Sequence, residues 1–209
     1  MTPTRLTVVS AAIVAGALVL AHPGPRRHGA LGSGDAFTDE VTRLSLAKPA
    51  GWSMATGQAL ALAAEGEARR LGDTRLAPAG DGSTELLVRF TRYVPGEAPG
   101  PNPTIVVTRF DMRRFPPRTR ADDLLRIGIA SARTEGPATT LELGRRPWRM
   151  MTASRELSRP DGAIIDTLQE IYVTAGVNWG LAIVISATRP QFAEYRSIFD
   201  TTLRTVRFR

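Results

Sequence analysis

Most of this chain has no residues for histidine or cysteine chemistry. Its 209 residues include two histidines and no cysteine. Both histidines, His22 and His28, sit in a Pro- and Gly-rich stretch near the N-terminus. A Ser-His-Asp or Cys-His nucleophile needs an imidazole beside the attacking atom, so neither can be assembled from the residues that follow. Zinc sites built on His or Cys are excluded in the same way. Without cysteine there is also no disulfide and no lipidated N-terminal Cys, and the fold must rest on packing. No cofactor and no catalytic residue is expected.

Carboxylates remain. Asp122 and Asp123 are adjacent, and neighbouring residues of a helix do not share a face. Both suit the positive end of a helix dipole. Asp166 and Glu170 stand four apart in one strand and point to one side. Two carboxylates on one surface are the minimum for a glycosidase-type hydrolase, the remote alternative here; solvated sheet positions are the simpler reading. Asp161-Gly162 reads as a turn without the spaced ligands of a calcium loop. The glycines at 29, 32 and 34 follow no strand, so they are not a dinucleotide loop.

Arginine is the most conspicuous resource. In "RFDMRRFPPRTR", Arg109, Arg113, Arg114, Arg118 and Arg120 face a single Asp111, with Phe110 and Phe115 interleaved. Guanidinium forks match carboxylate and phosphate, which makes this a docking patch for an anionic surface. The alternative is a solvated strand-to-helix loop. "GRRPWR" places Arg145, Arg146 and Arg149 around Trp148 as a second candidate. Lys48 is the sole lysine, a bias that reflects a GC-rich genome. The formal charge is +7. Removal of residues 1–21 takes Arg5 from the 27 basic residues and leaves 26 against 20 acidic ones, or +6.

That removal is expected because Leu6 to Ala21 are almost wholly apolar behind one basic residue, the pattern of a secretory signal. Sixteen residues fall short of the roughly 20 that span a bilayer as a helix. An uncleaved N-terminal anchor and a buried helix are the other readings of residues 6–21. Residues 22–41 are rich in Pro, Gly and Ser and read as a flexible linker. Residues 42–209 form the folded domain. Export makes nucleic acid the wrong partner, and brings anionic lipid, glycan or an acidic protein surface within reach.

Periodicity supplies the elements that must hold these residues. "RLSLAKPAGW" is a strand closing in a turn, with Trp52 in the core. Helical spacing predicts a helix over 57–71. Leu86, Val88 and Phe90 alternate with Arg89 and Thr91, predicting a strand with one buried face. After a Pro/Gly loop at 94–103 comes a strand over 104–112. A helix from Thr119 to about Arg133 follows, with Thr119 and Asp122 as its capping box. Strands are expected over 139–143, 147–157, 164–174 and 179–188, with "SRPDGA" turning between the middle two. The last strand is nearly continuous in apolar residues, so it should be central and covered on both faces. Thr188 and Gln191 then cap a helix with Phe192, Tyr195, Phe199 and Leu203 on one stripe. Thr205 to Phe208 should add an edge strand to the same sheet.

Three features occur together: Pro49-Ala50-Gly51-Trp52 after the early strand, Asn102-Pro103 before "TIVVTRF", and "AIVISA…EYRSIFDTTLRTVRF" at the end. On these residues the chain, over about 42–208, resembles the PsbP-like superfamily, which includes exported bacterial proteins of the DcrB and LpqN types. The resemblance implies an α+β fold: a mostly antiparallel sheet of six to seven strands flanked by three helices, a three-layer α/β/α sandwich. It also implies a domain that binds other proteins and shares no catalytic residues. The function expected is therefore a non-catalytic exported domain, periplasmic or extracellular or tethered by its N-terminal helix, that binds a protein partner at the cell envelope. The alternative is binding of anionic lipid or glycan through the arginines. Arg113, Arg114, Arg118, Arg120, Arg145, Arg146 and Arg149 are the candidate contacts.

Overall fold

The computed structural model describes residues 35–57, 59, 82–93, 101–129, 132–158 and 164–209. The apolar leader, most of the linker, most of the helix expected over 57–71, the tip of the 94–103 loop and the "SRPDGA" turn lie outside the described residues.

The chain opens with β1 (Ala36–Thr38), β2 (Leu44–Ala47) and β3 (Ser53–Thr56). Next come β4 (Thr84–Thr91), β5 (Thr104–Asp111), a 3-10 turn at Met112–Arg114, and α1 (Ala121–Gly128). Then follow β6 (Arg133–Thr134), β7 (Thr139–Leu143), β8 (Arg146–Ser158), β9 (Ile164–Ala175), β10 (Trp179–Thr188), α2 (Arg189–Leu203) and β11 (Arg207–Phe208). Eight strands form the main sheet in the order β3-β4-β5-β10-β9-β8-β6, with β7 also paired to β8. Every pairing is antiparallel. The fold is α+β, with one strand more in this sheet than the upper expectation.

β10 is central, between β5 and β9. Its alternate residues enter two cores. Leu181, Ile183 and Ile185 join Trp148, Phe199 and Val206 under α2, while Ala182 and Val184 join Phe110, Leu124 and Ile171 under α1. A strand that must be apolar on both sides explains its near-continuous hydrophobic run. On α2, Thr188 Oγ1 accepts from the Gln191 N–H at 3.4 Å, and Gln191 Oε1 accepts from the Thr188 N–H at 3.2 Å. Phe192, Tyr195, Phe199 and Leu203 are all buried, as their spacing predicts. Each full burial contributes roughly 1.5–3 kcal/mol.

The first two motifs of the resemblance have local physical roles. Gly51 takes φ +73°, and the Trp52 N–H donates to Pro49 O at 3.1 Å, so the turn needs glycine and drives Trp52 inward. Trp52 is buried edge-on to Tyr195 and Phe199. Asn102 clips the end of β4 to the start of β5, accepting from the Tyr93 N–H at 3.0 Å and donating to Tyr93 O at 2.7 Å.

Four expectations need correction. β11 pairs with β2 in a separate three-stranded sheet, order β1-β2-β11, not with the main sheet. β1 occupies residues expected to be linker, because the Asp39 carboxylate accepts from Thr42 and Arg109 and anchors the β1–β2 connection. α1 begins one residue later than expected: Asp123 accepts from the Arg120 N–H at 2.9 Å, and Thr119 instead donates to Pro116 O. It ends at Gly128, since Arg133 and Thr134 pair with β8. Finally, β4 carries a bulge between Leu86 and Val88. Leu87, Val88 and Phe90 face the α2 core and Leu86 the other, so both sides of β4 are covered.

Candidate arginine-bearing interface

Register puts the residues that follow β5, Arg113 and Arg114, and those that open β8, Arg145 and Arg146, at one end of the main sheet, while Arg118 and Arg120 lead from there into α1 and Arg149 lies within β8. β5 ends opposite the start of β10, with Asp111 paired to Trp179, and the Met112 N–H donates to Asn178 O at 3.1 Å. The β9–β10 turn, Gly176 to Asn178, therefore sits between the two sequence clusters. Val177 at its tip is 92% exposed.

On one side of the turn, Arg113 grips Asp111 with a two-point fork, both contacts 2.8 Å, and Arg114 lies 3.7 Å from the same carboxylate. These hydrogen bonds hold the Asp111 carboxyl below its ordinary value and raise the Arg113 guanidinium. Arg118 lies just before α1, exposed, with φ +75°. It lines an open depression of about 390 Å³ with Phe115, Pro117, Arg126 and Ile127. Arg120 gives its backbone N–H to cap α1, and its side chain is exposed.

Across the turn, the "GRRPWR" cluster splits by strand alternation. Trp148 is fully buried in the α2 core and donates to Leu143 O at 3.1 Å. Arg149 points to the α1 side, held by Asp122 at 2.6 Å and by Thr140 at 2.6 Å. Arg146 stacks over Phe208 at 4.5 Å and Trp179 at 5.2 Å, so the closing strand β11 fixes it. Gly144 makes this possible. A Cβ there would lie 3.1 Å from Phe208 and Val206. Arg145 follows with φ +63°, exposed. Arg109, the fifth arginine of the first stretch, is not part of this surface, because it bridges Asp39 and Glu85.

The guanidinium groups of Arg118, Arg120, Arg145 and Arg146 meet no carboxylate among the described residues. Arg113, Arg114 and Arg149 are bound to the protein's own acids and are positioned rather than free. Exposed, planar guanidinium forks of this kind match the geometry of carboxylates and phosphates. The exposed Val177 carried no periodic signal in the sequence; only the register of β9 and β10 brings it among the arginines.

The carboxylate pair is not an acid–base dyad. Asp166 pairs with Arg189 at 2.7 Å. Glu170 is not solvated, contrary to the simpler expectation. It is buried beneath α2, where it accepts from the Tyr172 hydroxyl and from Arg196. Among the described residues no group of three or more His, Cys, Asp or Glu could hold a metal. No helix among them is long and apolar enough to cross a membrane.

No family model matches the sequence, and no curated protein is similar to it. Solved structures with a similar fold include cyanobacterial PsbP from Synechocystis, at 11% identity and TM-score 0.49, covering 91% of this chain and 99% of that one. LpqN of Mycobacterium tuberculosis, involved in cell envelope biogenesis, is similar at 11% identity and TM-score 0.45, over 78% of this chain and 82% of its own. A Bacteroides thetaiotaomicron protein matches at 11% identity and TM-score 0.43, over 84% of this chain and 48% of its own. No residue role is carried over from these likenesses.

Proposed function

We propose that this protein is a non-catalytic domain of the cell envelope that binds an acidic surface of a partner protein through its arginine-bearing end. The observation that supports this reading is that Arg118, Arg120, Arg145 and Arg146 are exposed, with guanidinium groups that meet no carboxylate among the described residues, in the two segments either side of the β9–β10 turn, β5 to α1 and β7 to β8. Rim guanidinium groups of this kind chiefly raise association rates and fix orientation. The apolar stretch at residues 6–21 directs the chain to export, to a periplasmic, extracellular or membrane-tethered place.

Charge reversal tests the reading. Arg118→Glu, Arg145→Glu and Arg146→Glu together should slow association with the partner from an envelope extract at least tenfold at low salt, with an unchanged circular dichroism spectrum. Partner capture that is equally fast in the triple variant overturns it.

Val177 at the tip favours a second reading, an anionic lipid surface. An exposed apolar tip ringed by arginines suits a headgroup layer. Liposomes with and without anionic lipid decide between the two. Binding only to the anionic vesicles, lost on Arg118→Glu and Arg145→Glu, supports lipid. Equal failure on both vesicle types removes it.

A further inference from the structure

The α1 face of the main sheet changes character along its length. Under α1 it is apolar. One row further from the arginine end, register aligns Thr91, Thr104, Ser186, Gln169 and Ala153 across β4, β5, β10, β9 and β8. Neighbouring members stand one strand spacing apart, so their side chains are within reach of each other. Thr104, Ser186 and Gln169 are 3%, 3% and 1% exposed. Gln169 Nε2 donates to Ser186 Oγ at 3.4 Å, a single long contact. Thr104 Oγ1 and Gln169 Oε1 find no hydrogen-bond partner among the described residues.

Arg89 borders this row on β4, two residues from Thr91 and on the same face. Its Nε is buried and also without a partner among the described residues. Burial alone pulls its pKa down, with no carboxylate opposing the shift. Uncompensated polar atoms of this kind are costly to bury unless something else completes them. Here a guanidinium, a hydroxyl and an amide lie along one face of the sheet, with the hydroxyl and the amide almost wholly buried. Thr167 continues the pattern on the next row, donating to the Arg155 carbonyl at 2.9 Å.

We infer that this row is a binding site for a small carboxylate- or phosphate-bearing molecule. Arg89 supplies the charge, and Thr104, Ser186 and Gln169 donate to the oxyanion and accept from any hydroxyl it carries. The Thr104–Ser186 pair lies seven residues along β5 and β10 from the Asp111–Trp179 pair, roughly 24 Å at ~3.4 Å per residue. The site is thus separate from the arginine end and stands or falls independently of it.

The test is a titration of the ¹⁵N-labelled full chain with inorganic phosphate in one arm and sodium octanoate in the other, read at the Arg89 Nε–H and Gln169 amide signals. Saturable shifts in the phosphate arm identify a phosphate head, and in the octanoate arm a carboxylate head. Arg89→Met should weaken the responding probe about tenfold or more, the scale of a lost charged hydrogen bond. Thr104→Val is the isosteric control on folding and should weaken it severalfold with native spectra. Absence of saturable shifts in both arms overturns the site. So does an affinity that neither substitution changes.

Discussion

Glu170 and Tyr172 offer the sharpest test of how this sheet is held to α2. They lie two apart on β9, 6% and 3% exposed, with the Tyr172 hydroxyl donating to Glu170 and Arg196 of α2 completing the carboxylate. Burial, reinforced by the neighbouring Glu170 carboxylate, pushes the Tyr172 phenol far above its ordinary range, so it remains a donor at all working pH values. Glu170→Leu strands that hydroxyl, at a cost of about 1–3 kcal/mol. Arg196 is 45% exposed and keeps Asp200 at 3.0 Å, so its loss adds only about 0–1 kcal/mol. The single variant should therefore lose about 1–4 kcal/mol. Tyr172→Phe removes the donor but leaves Glu170 with Arg196, for about 1–2 kcal/mol. In the double variant no orphan hydroxyl remains, and its cost should fall short of the sum by at least ~1 kcal/mol. Urea denaturation with matched slopes measures all three. Costs that add within ~0.5 kcal/mol would refute a coupled buried pair.

Other outcomes follow from single contacts. Gly180→Ala would place a Cβ 2.7 Å from Leu124 Cδ1, so it should destabilise by about 1–3 kcal/mol, and trimming Leu124 in the same chain should recover part of that loss in a thermal melt. Thr188→Ala removes the cap of α2 and should cost about 1 kcal/mol in the same melt. Arg189 holds the Glu135 carboxyl below its ordinary value, so Glu135 takes up its proton at lower pH folded than unfolded. Its contribution is complete above the unfolded value near 4.5 and is lost as pH falls through the folded one; Glu135→Gln should flatten that acid limb of the stability curve.

Much of this fold was legible because its signals are local. β10 announces itself by apolar continuity, and α2 by its cap and stripe. The turn at Gly51 and the Asn102 clip are short-range devices whose residues specify them. What was not legible depends on partners distant in sequence. β11 reads as an edge strand, but nothing in "TVRF" says that β2 rather than the main sheet receives it. Alternation placed Arg89 and Thr91 on an outward face. The bulge at Leu87 and the second core under α1 make that face an interior one. Glu170 looked solvated because its two partners are a tyrosine two residues away and an arginine on α2. The arginine clusters were visible as composition, but their convergence required the register of β5, β9 and β10. Side-chain contacts then show Arg113, Arg114 and Arg149 to be held by carboxylates and Arg146 by aromatic rings, while Arg118 and Arg145 meet no carboxylate among the described residues.

On the proposed function the protein acts by binding at this end of the sheet. Site-specific photo-crosslinking in intact cells tests it most directly, with the crosslinker placed in turn at Arg145 and at Glu194 on α2. One discrete adduct is expected from position 145, lost when Arg118 and Arg146 are changed to Glu, and none from position 194. The same adduct from both positions, or one indifferent to the charge reversal, would contradict it.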